Sequence, residues 1–120
     1  SAGFLDVDGD SDLDLFICEY VQWSRQKDID VDYRLTGVGR AYGPPTNFEG
    51  TYCRLLINDG SGEFTDASER SGLKIDDGGR AVAKALALLP IDIDDDGDVD
   101  VLVGNDTTRN SITGGILALN

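Results

Sequence analysis

Asp6-Val7-Asp8-Gly9-Asp10-Ser11-Asp12-Leu13-Asp14 is an acidic stretch with aspartate at positions 1, 3, 5, 7 and 9. Asp92-Ile93-Asp94-Asp95-Asp96-Gly97-Asp98-Val99-Asp100 repeats this pattern at an offset of 86 residues (92 − 6 = 86). Carboxylates this close repel one another, by roughly 1 kcal/mol for two unit charges about 4 Å apart in water. A chain that folds with such a loop needs a hard cation. Ca²⁺ fits best, because it takes roughly six to eight oxygen ligands in irregular geometry.

Apolar segments flank both acidic stretches. Residues 13–19 and 99–104 are short, aliphatic or β-branched, and close to fully apolar. Such segments are typical of buried strands. We therefore predict that each acidic loop joins two strands, 2–5 to 13–19 and 85–93 to 99–104.

Three further segments complete the prediction. Residues 54–65 predict a hairpin around Asn58-Asp59-Gly60-Ser61-Gly62, because glycine, asparagine and aspartate supply the positive φ angles of its turn. Residues 66–72 predict one helical turn with Asp66 as N-cap and Glu69 three residues on. Residues 21–52 contain Trp23, Tyr33, Tyr42 and Phe48, and predict a long ordered insertion rather than a core element.

Composition excludes several functions. The formal net charge is −13, from 10 Lys and Arg against 23 Asp and Glu, which argues against nucleic-acid binding. No apolar run of about 18 residues is present, so no membrane insertion is expected. The absence of histidine removes the usual general base and zinc ligand. Cys18 and Cys53 match no metal motif, and a disulfide in an exported protein and two buried free thiols both remain open.

The acidic loops and the hairpin together resemble a known repeat family. The Asp-x-Asp-x-Asp-x-x-x-Asp pattern between strands is similar to the calcium loop of FG-GAP/VCBS (integrin-α-like) β-propeller repeats. The segment from Leu56 to Asp66 resembles the hairpin turn of the same repeats, and the order of hairpin, short turn, apolar strand and acidic loop also agrees. The likeness is greatest to bacterial members of the ASPIC/UnbV-associated type. Ser11 at position 6 and Asp95 at position 4 depart from the glycines that are usual there.

The resemblance implies an all-β fold of about two incomplete propeller blades within one module, 1–120. Residues 1–20 would form part of the first blade, 21–52 the insertion, and 53–120 the second blade and the start of the next. It implies two Ca²⁺ sites, in each of which side chains 1, 3, 5 and 9 and the backbone carbonyl of position 7 are ligands. The ligands would be Asp6, Asp8, Asp10, Asp12 and Asp14 in the first loop and Asp92, Asp94, Asp96, Asp98 and Asp100 in the second.

The function expected from these residues is that of a non-catalytic, extracellular, calcium-binding module for adhesion or for contact with a protein or glycan. An alternative is a subunit of a calcium-stabilised extracellular filament, in which neighbouring copies complete each other's blades, because two incomplete blades leave strand edges that must be covered. A fragment of a propeller enzyme is the weakest alternative, since the chain lacks histidine and a coherent pair of acid and base groups.

Overall fold

The computed structural model describes residues 1–74, 76–106 and the backbone of 115–117. This part of the chain is mostly β, with one short α-helix, α1 (Arg25–Val31), and one turn of 3-10 helix, Pro45–Asn47. The strands are β1 (Ala2–Leu5), β2 (Asp14–Ile17), β3 (Arg34–Leu35), β4 (Gly39–Arg40), β5 (Arg54–Asn58), β6 (Phe64–Asp66), β7 (Asp76–Asp77), β8 (Arg80–Ala81), β9 (Ala85–Ile91), β10 (Asp100–Asn105) and β11 (Gly115–Leu117).

Four small antiparallel sheets contain all of these strands. The first sheet has the order β1-β2-β5-β6 and the second the order β11-β10-β9, while β3-β4 and β7-β8 are two-stranded ribbons. None of the four is closed into a barrel within the described residues. The predicted strands on both sides of each acidic loop and the predicted hairpin are therefore confirmed.

The hairpins that carry the two acidic loops have the same register. Phe4 pairs with Leu15 in the first, and Pro90 pairs with Val101 in the second, so each pair is related to the other by the same 86 residues as the loops. The last pair before the first loop is Leu5 with Asp14. Each loop is thus held between the ends of two paired strands. The aspartate at position 9 of the loop is the first residue of the second strand.

The predicted hairpin lies in the first sheet. Strand β5 of this hairpin pairs with β2 through Phe16–Leu55 and its neighbours, across the insertion. The stretch 107–120, apart from the strand at 115–117, lies outside the described residues. The first sheet is consequently a four-stranded meander whose second connection is the insertion.

One hydrophobic core lies between the first and second sheets. Alternation along β2 points Phe16 and Cys18 inward, with Phe16 completely buried, and Leu55 of β5 packs beside them. Val101 of β10 is completely buried on the opposing side. A methyl group on Gly3 would contact the Leu88 side chain, which shows how closely β1 approaches β9.

The other face of the first sheet carries several uncovered apolar side chains beside the exposed ion pair of Arg54 and Asp66. Leu15 and Leu56 are half-buried on it, and pairing places Phe4 on the same face. Phe4 is 61% exposed, and Leu13 and Phe64 along this face are 55% and 43% exposed. A sheet with two apolar faces is typical of a layer that packs against a neighbour on each side. We call this surface the outer face.

A capped turn follows β6, as predicted. The Asp66 carboxylate accepts the backbone N–H and the hydroxyl of Ser68 at 3.0 and 2.5 Å, and the Ser71 N–H donates to the Ala67 carbonyl at 3.0 Å. The Ser68 hydroxyl, then its N–H, then the Arg54 guanidinium lower the pKa of Asp66 to about 2. Glu69 does not complete a capping box, because its carboxylate pairs with Lys74.

The insertion contains the one α-helix of the described residues. Helix α1 begins after Ser24, whose hydroxyl accepts the Lys27 N–H at 3.1 Å, and ends at Asp32 in the left-handed region. Its seven residues bury no side chain. Among the described helices, none has the length and apolar character that crossing a membrane requires.

The end of the insertion is attached to the segment before β9. The Thr51 N–H donates to the Ala83 carbonyl at 3.2 Å, and the buried Lys84 ammonium donates to the Pro45 carbonyl at 2.8 Å. Nearby, the Tyr20 hydroxyl donates to Asp106 at 2.6 Å, which raises the pKa of Tyr20 to about 12. The insertion therefore links the first sheet to the second.

Gly50 makes this attachment possible, and its substitution tests it. A Cβ at Gly50 would collide with the carbonyl oxygens of Ala81 and Ala83. We expect Gly50→Ala to lower the free energy of unfolding by about 1–3 kcal/mol, as overpacking against backbone does. Gly104→Ala is the matched control, because its Cβ would meet Ala87 at an ordinary 3.8 Å. Urea unfolding followed by circular dichroism measures both, and equal stabilities of the two variants would contradict the packing.

Candidate functional site

The first acidic loop is folded around the Asp6 carboxylate. One Asp6 oxygen accepts the Gly9 N–H at 2.8 Å, and the other accepts the Ser11 N–H at 3.0 Å. The Asp10 carboxylate accepts the Asp12 N–H at 2.9 Å. Backbone donors thus bind negative side chains along the loop and fix its path, while Val7 packs against the core.

The second loop repeats these three bonds and adds a fourth, from the Asp96 N–H to the Asp92 carboxylate at 3.2 Å. One Asp92 oxygen accepts the Asp95 N–H at 2.7 Å, and the other accepts the Gly97 N–H at 3.0 Å. The Asp96 carboxylate accepts the Asp98 N–H at 2.9 Å. The two loops have different residues at positions 2, 4, 6 and 8, so their common fold comes from the aspartates that they share.

The aspartate at position 9 of each loop is buried, and its hydrogen bonds close the loop. Asp14 is 0% exposed, and its two oxygens accept the Val7 N–H at 3.0 Å and the Asn58 N–H at 2.9 Å. Asp100 is 8% exposed and accepts the Ile93 N–H at 3.0 Å. These bonds satisfy backbone donors that would otherwise be lost at the end of a strand, which makes this aspartate part of the fold itself.

Each loop brings three carboxylates together. Asp6, Asp8 and Asp14 offer oxygens that all lie within 4.8 Å of one another, and Asp92, Asp94 and Asp100 do the same in the second loop. Either cluster could hold a metal ion. The structure does not bring the other predicted residues into these three-carboxylate clusters. They are Asp10 and Asp96, together with Asp12 and Asp98, which are predicted to act through their backbone carbonyls.

The aspartate at position 3 of the second loop does not take part in the hydrogen bonds that fold the loop. Asp94 is exposed, and its carboxylate accepts no hydrogen bond from the described part of the chain. In the first loop, partial shielding from solvent, followed by the nearby carboxylates of Asp10 and Asp14, raises the pKa of Asp8. A cation between the carboxylates removes this repulsion. An oxygen-only donor set is the one that hard divalent ions such as Ca²⁺ and Mg²⁺ prefer.

The backbone is left-handed at positions 4 and 6 of both loops. The φ angles are 75° at Gly9 and 75° at Ser11, and 66° at Asp95 and 96° at Gly97. The departures from glycine at Ser11 and Asp95 therefore leave the loop conformation unchanged. Each loop has glycine at one of the two positions and a strained residue at the other.

The β5–β6 turn supports the first loop, which the sequence did not indicate. The Asn58 side-chain amide donates to the Leu13 carbonyl at 3.3 Å. The Asp12 carboxylate lies so close to Gly60 that a Cβ on Gly60 would collide with it. The relevant signal is the asparagine and glycine of this turn, but their contact with the loop depends on β5 pairing with β2.

Comparison of the chain with protein-family models, with curated proteins and with solved structures found no match. The resemblance to FG-GAP/VCBS repeats therefore stays a prediction from the sequence.

Substitutions at the left-handed positions test the loop geometry. We expect Ser11→Gly to raise the free energy of unfolding by about 0.5 kcal/mol, because a non-glycine residue there costs about 1 kcal/mol and glycine gains unfolded-state entropy in part return. Ser11→Ala keeps the left-handed cost and controls for the lost hydroxyl. We expect Gly97→Ala to cost about 1 kcal/mol, since no atom lies within 4 Å of its Cβ position and only φ opposes it. Urea unfolding measures all three, and a Ser11→Ala variant as stable as Ser11→Gly would refute the strain.

Proposed function

We propose that this chain is a non-catalytic, calcium-binding structural and interaction module of the FG-GAP/VCBS β-propeller type, which acts outside the cell. The observation that carries the proposal is the pair of acidic loops. They share a hydrogen-bond network, a strand register and a buried ninth aspartate, and each gathers three carboxylates within 4.8 Å. Two copies of one geometry argue for a common ligand more strongly than a single acidic turn does.

In this proposal each loop holds one Ca²⁺ ion. The carboxylates of the aspartates at positions 1, 3, 5 and 9 and the backbone carbonyl of position 7 supply the oxygens. Asp6, Asp8, Asp10, Asp12 and Asp14 hold the first ion, and Asp92, Asp94, Asp96, Asp98 and Asp100 hold the second. Bound Ca²⁺ supplies positive charge that offsets the crowded carboxylates, and the chain's own residues keep the loop in the shape that receives it.

The propeller part of the proposal is supported by the first sheet. Its four antiparallel strands form a meander, the arrangement of a propeller blade. One face packs on the core, and the outer face is apolar and exposed at Phe4, Leu13 and Phe64. Blades pack against a neighbour on both faces, so a further blade would cover the outer face.

Exposed aromatic residues of the insertion support a role in contact with a protein or glycan. Trp23 is 63% exposed and Tyr42 is 99% exposed. Large aromatic side chains in this position offer apolar area with little conformational entropy to lose on binding. The chain has no histidine, and its clustered carboxylates are engaged in the loops, which favours binding over catalysis.

Calcium binding is tested by substituting the aspartates at positions 3 and 9 of the second loop one at a time. We expect the parent protein to bind two Ca²⁺ ions and Asp94→Ala to bind one, as counted by isothermal titration calorimetry. In EDTA, Asp94→Ala should unfold within about 0.5 kcal/mol of the parent. At a hundredfold excess of Ca²⁺ over Kd it should lack about 2.7 kcal/mol of stabilisation, the contribution of one site.

Two further variants serve as controls. Asp77→Ala removes one exposed aspartate of β7 outside the loops and should leave two ions bound. Asp100→Ala should destabilise the protein in EDTA as well as in Ca²⁺, because the Ile93 N–H loses its acceptor. Two bound ions in Asp94→Ala, or equal stability of the parent in Ca²⁺ and EDTA, would refute the proposal.

The uncovered outer face also favours a second candidate, a subunit of a calcium-stabilised filament. In that case a neighbouring copy supplies the layer that covers Phe4 and Leu13. Heterologous contacts of this kind produce open polymers when the rotation between copies does not close. The filament and the single module therefore differ in what lies against this face.

Light scattering in Ca²⁺ and in EDTA separates the two candidates. We expect the module to scatter as a discrete species near its mass of 12.9 kDa in millimolar Ca²⁺. A large ordered polymer in Ca²⁺ that dissociates in EDTA would support the filament and contradict the single module. Phe4→Lys is the diagnostic variant, because a charge on the outer face should abolish such a polymer and leave the calcium stoichiometry at two.

A further inference from the structure

Cys18 and Cys53 lie directly opposite each other where the insertion leaves the first sheet. The β2–β5 ladder ends at the pair Ile17–Arg54, and the next residue on each strand is a cysteine. Beyond them, Val21 forms a bridge with Gly50. Three residues separate Ile17 from Val21, and three separate Gly50 from Arg54. The register is therefore unchanged between the two pairs, and it places the cysteines opposite each other.

The backbone of Cys18 shows which kind of pair this is. Its N–H donates to the Ser1 carbonyl at 2.8 Å, and its carbonyl accepts the Ser1 amine at 3.5 Å. Both backbone groups of Cys18 therefore point toward β1 and away from β5. Toward Cys53 it forms a non-hydrogen-bonded pair, in which the two Cα atoms lie about 4.5 Å apart and the side chains are closest. This separation lies within the disulfide range of roughly 4.4–6.8 Å.

The two thiols share one pocket of the core. Cys18 is 7% and Cys53 6% exposed, and both belong to the cluster around Phe16 and Leu55. The structure holds them as free thiols. They lie within hydrogen-bonding reach of each other, since burial and then the Cys18 thiol raise the pKa of Cys53.

We propose that Cys18 and Cys53 form a disulfide that closes the insertion at its base when the protein folds in an oxidising compartment. The residues stand at matched positions of two paired strands, on the same face and in the same pocket. The Cα separation typical of a non-hydrogen-bonded pair suits the linkage, which is independent of whether the acidic loops bind calcium.

The reaction is a pair of thiol–disulfide exchanges with a small-molecule disulfide such as oxidised glutathione. One cysteine thiolate attacks a sulfur of that disulfide, forms a mixed disulfide and releases one thiol. The second cysteine attacks the protein sulfur of the mixed disulfide and releases the other thiol. Two cysteine thiols are oxidised and one external disulfide is reduced to two thiols, so atoms and electrons balance.

Burial sets the time at which this reaction occurs. The raised pKa of Cys53 leaves little thiolate in the folded, reduced protein, and the pocket admits no external disulfide. The linkage therefore forms while the chain is folding, before the core closes. Once formed, the same burial protects it from reductants.

Refolding of the reduced, denatured protein in a buffer of reduced and oxidised glutathione tests the proposal. We expect both thiols to be lost, a monomer on a non-reducing gel, and a tryptic fragment in which peptides 1–25 and 41–54 are joined. The folded, reduced protein should oxidise at least roughly tenfold more slowly in the same buffer. Folding is followed by circular dichroism, so that only folded protein is scored.

The stability of the two redox forms gives a second readout. The oxidised form should unfold at a temperature roughly 5 °C or more above the reduced form, because the linkage restricts the unfolded chain. The difference should vanish in the double variant Cys18→Ala/Cys53→Ala. Folded protein that keeps both thiols after refolding, or that forms disulfide-linked dimers instead, would overturn the proposal.

Discussion

Crowded carboxylates are the constraint on which the rest of the structure depends. The first acidic loop places five of them and the second places six within nine residues, and the chain manages this charge with its own backbone. The Asp6 and Asp92 carboxylates each collect N–H groups from further along the loop, and the buried Asp14 and Asp100 close the loop from its far end. Because the aspartate at position 9 starts the second strand, the same bonds that fold the loop also set the register of the hairpin. That register turns Phe16 toward the core.

Different loop positions fold the loop and are available for an ion. The aspartates at positions 1 and 9 accept hydrogen bonds from backbone N–H groups, although each carboxylate retains lone pairs for a cation. In the proposed function, loss of Asp94, at position 3, would remove a ligand without removing a bond that folds the loop. A metal site built this way would be formed largely in advance, so that binding an ion would cost little reorganisation. Partial shielding from solvent, and then repulsion from Asp10 and Asp14, raise the pKa of Asp8, and a bound cation would offset that repulsion.

Local pattern predicted the strands beside the acidic loops, the β5–β6 hairpin and the capped turn at Asp66, because each is determined by residues near in sequence. Pairing of β5 with β2 was not predictable in this way, since it is determined by Phe16 and Leu55 meeting in the core across a long insertion. Helix α1 had a usable signal in Ser24, which caps it, but its seven residues show no apolar face to strengthen that signal. The burial of Asp14 and Asp100 runs against the usual exposure of aspartate, and it follows only from the N–H groups that they accept.

Strand direction places the acidic loops and the insertion at opposite ends of the sheets. Strand β2 runs from the first loop to the insertion, and β10 runs from the second loop to Asp106, which accepts the Tyr20 hydroxyl beside the insertion. Trp23 and Tyr42 therefore lie on a segment that is separated from both loops by the length of a strand. An ion in a loop does not touch a partner bound at the insertion. In the proposed function, an ion would act on that surface by stabilising the hairpins β1–β2 and β9–β10, between which the insertion is anchored through Thr51, Ala83 and Lys84. Calcium binding and partner binding would then be coupled through the stability of the sheets, and such coupling is reciprocal.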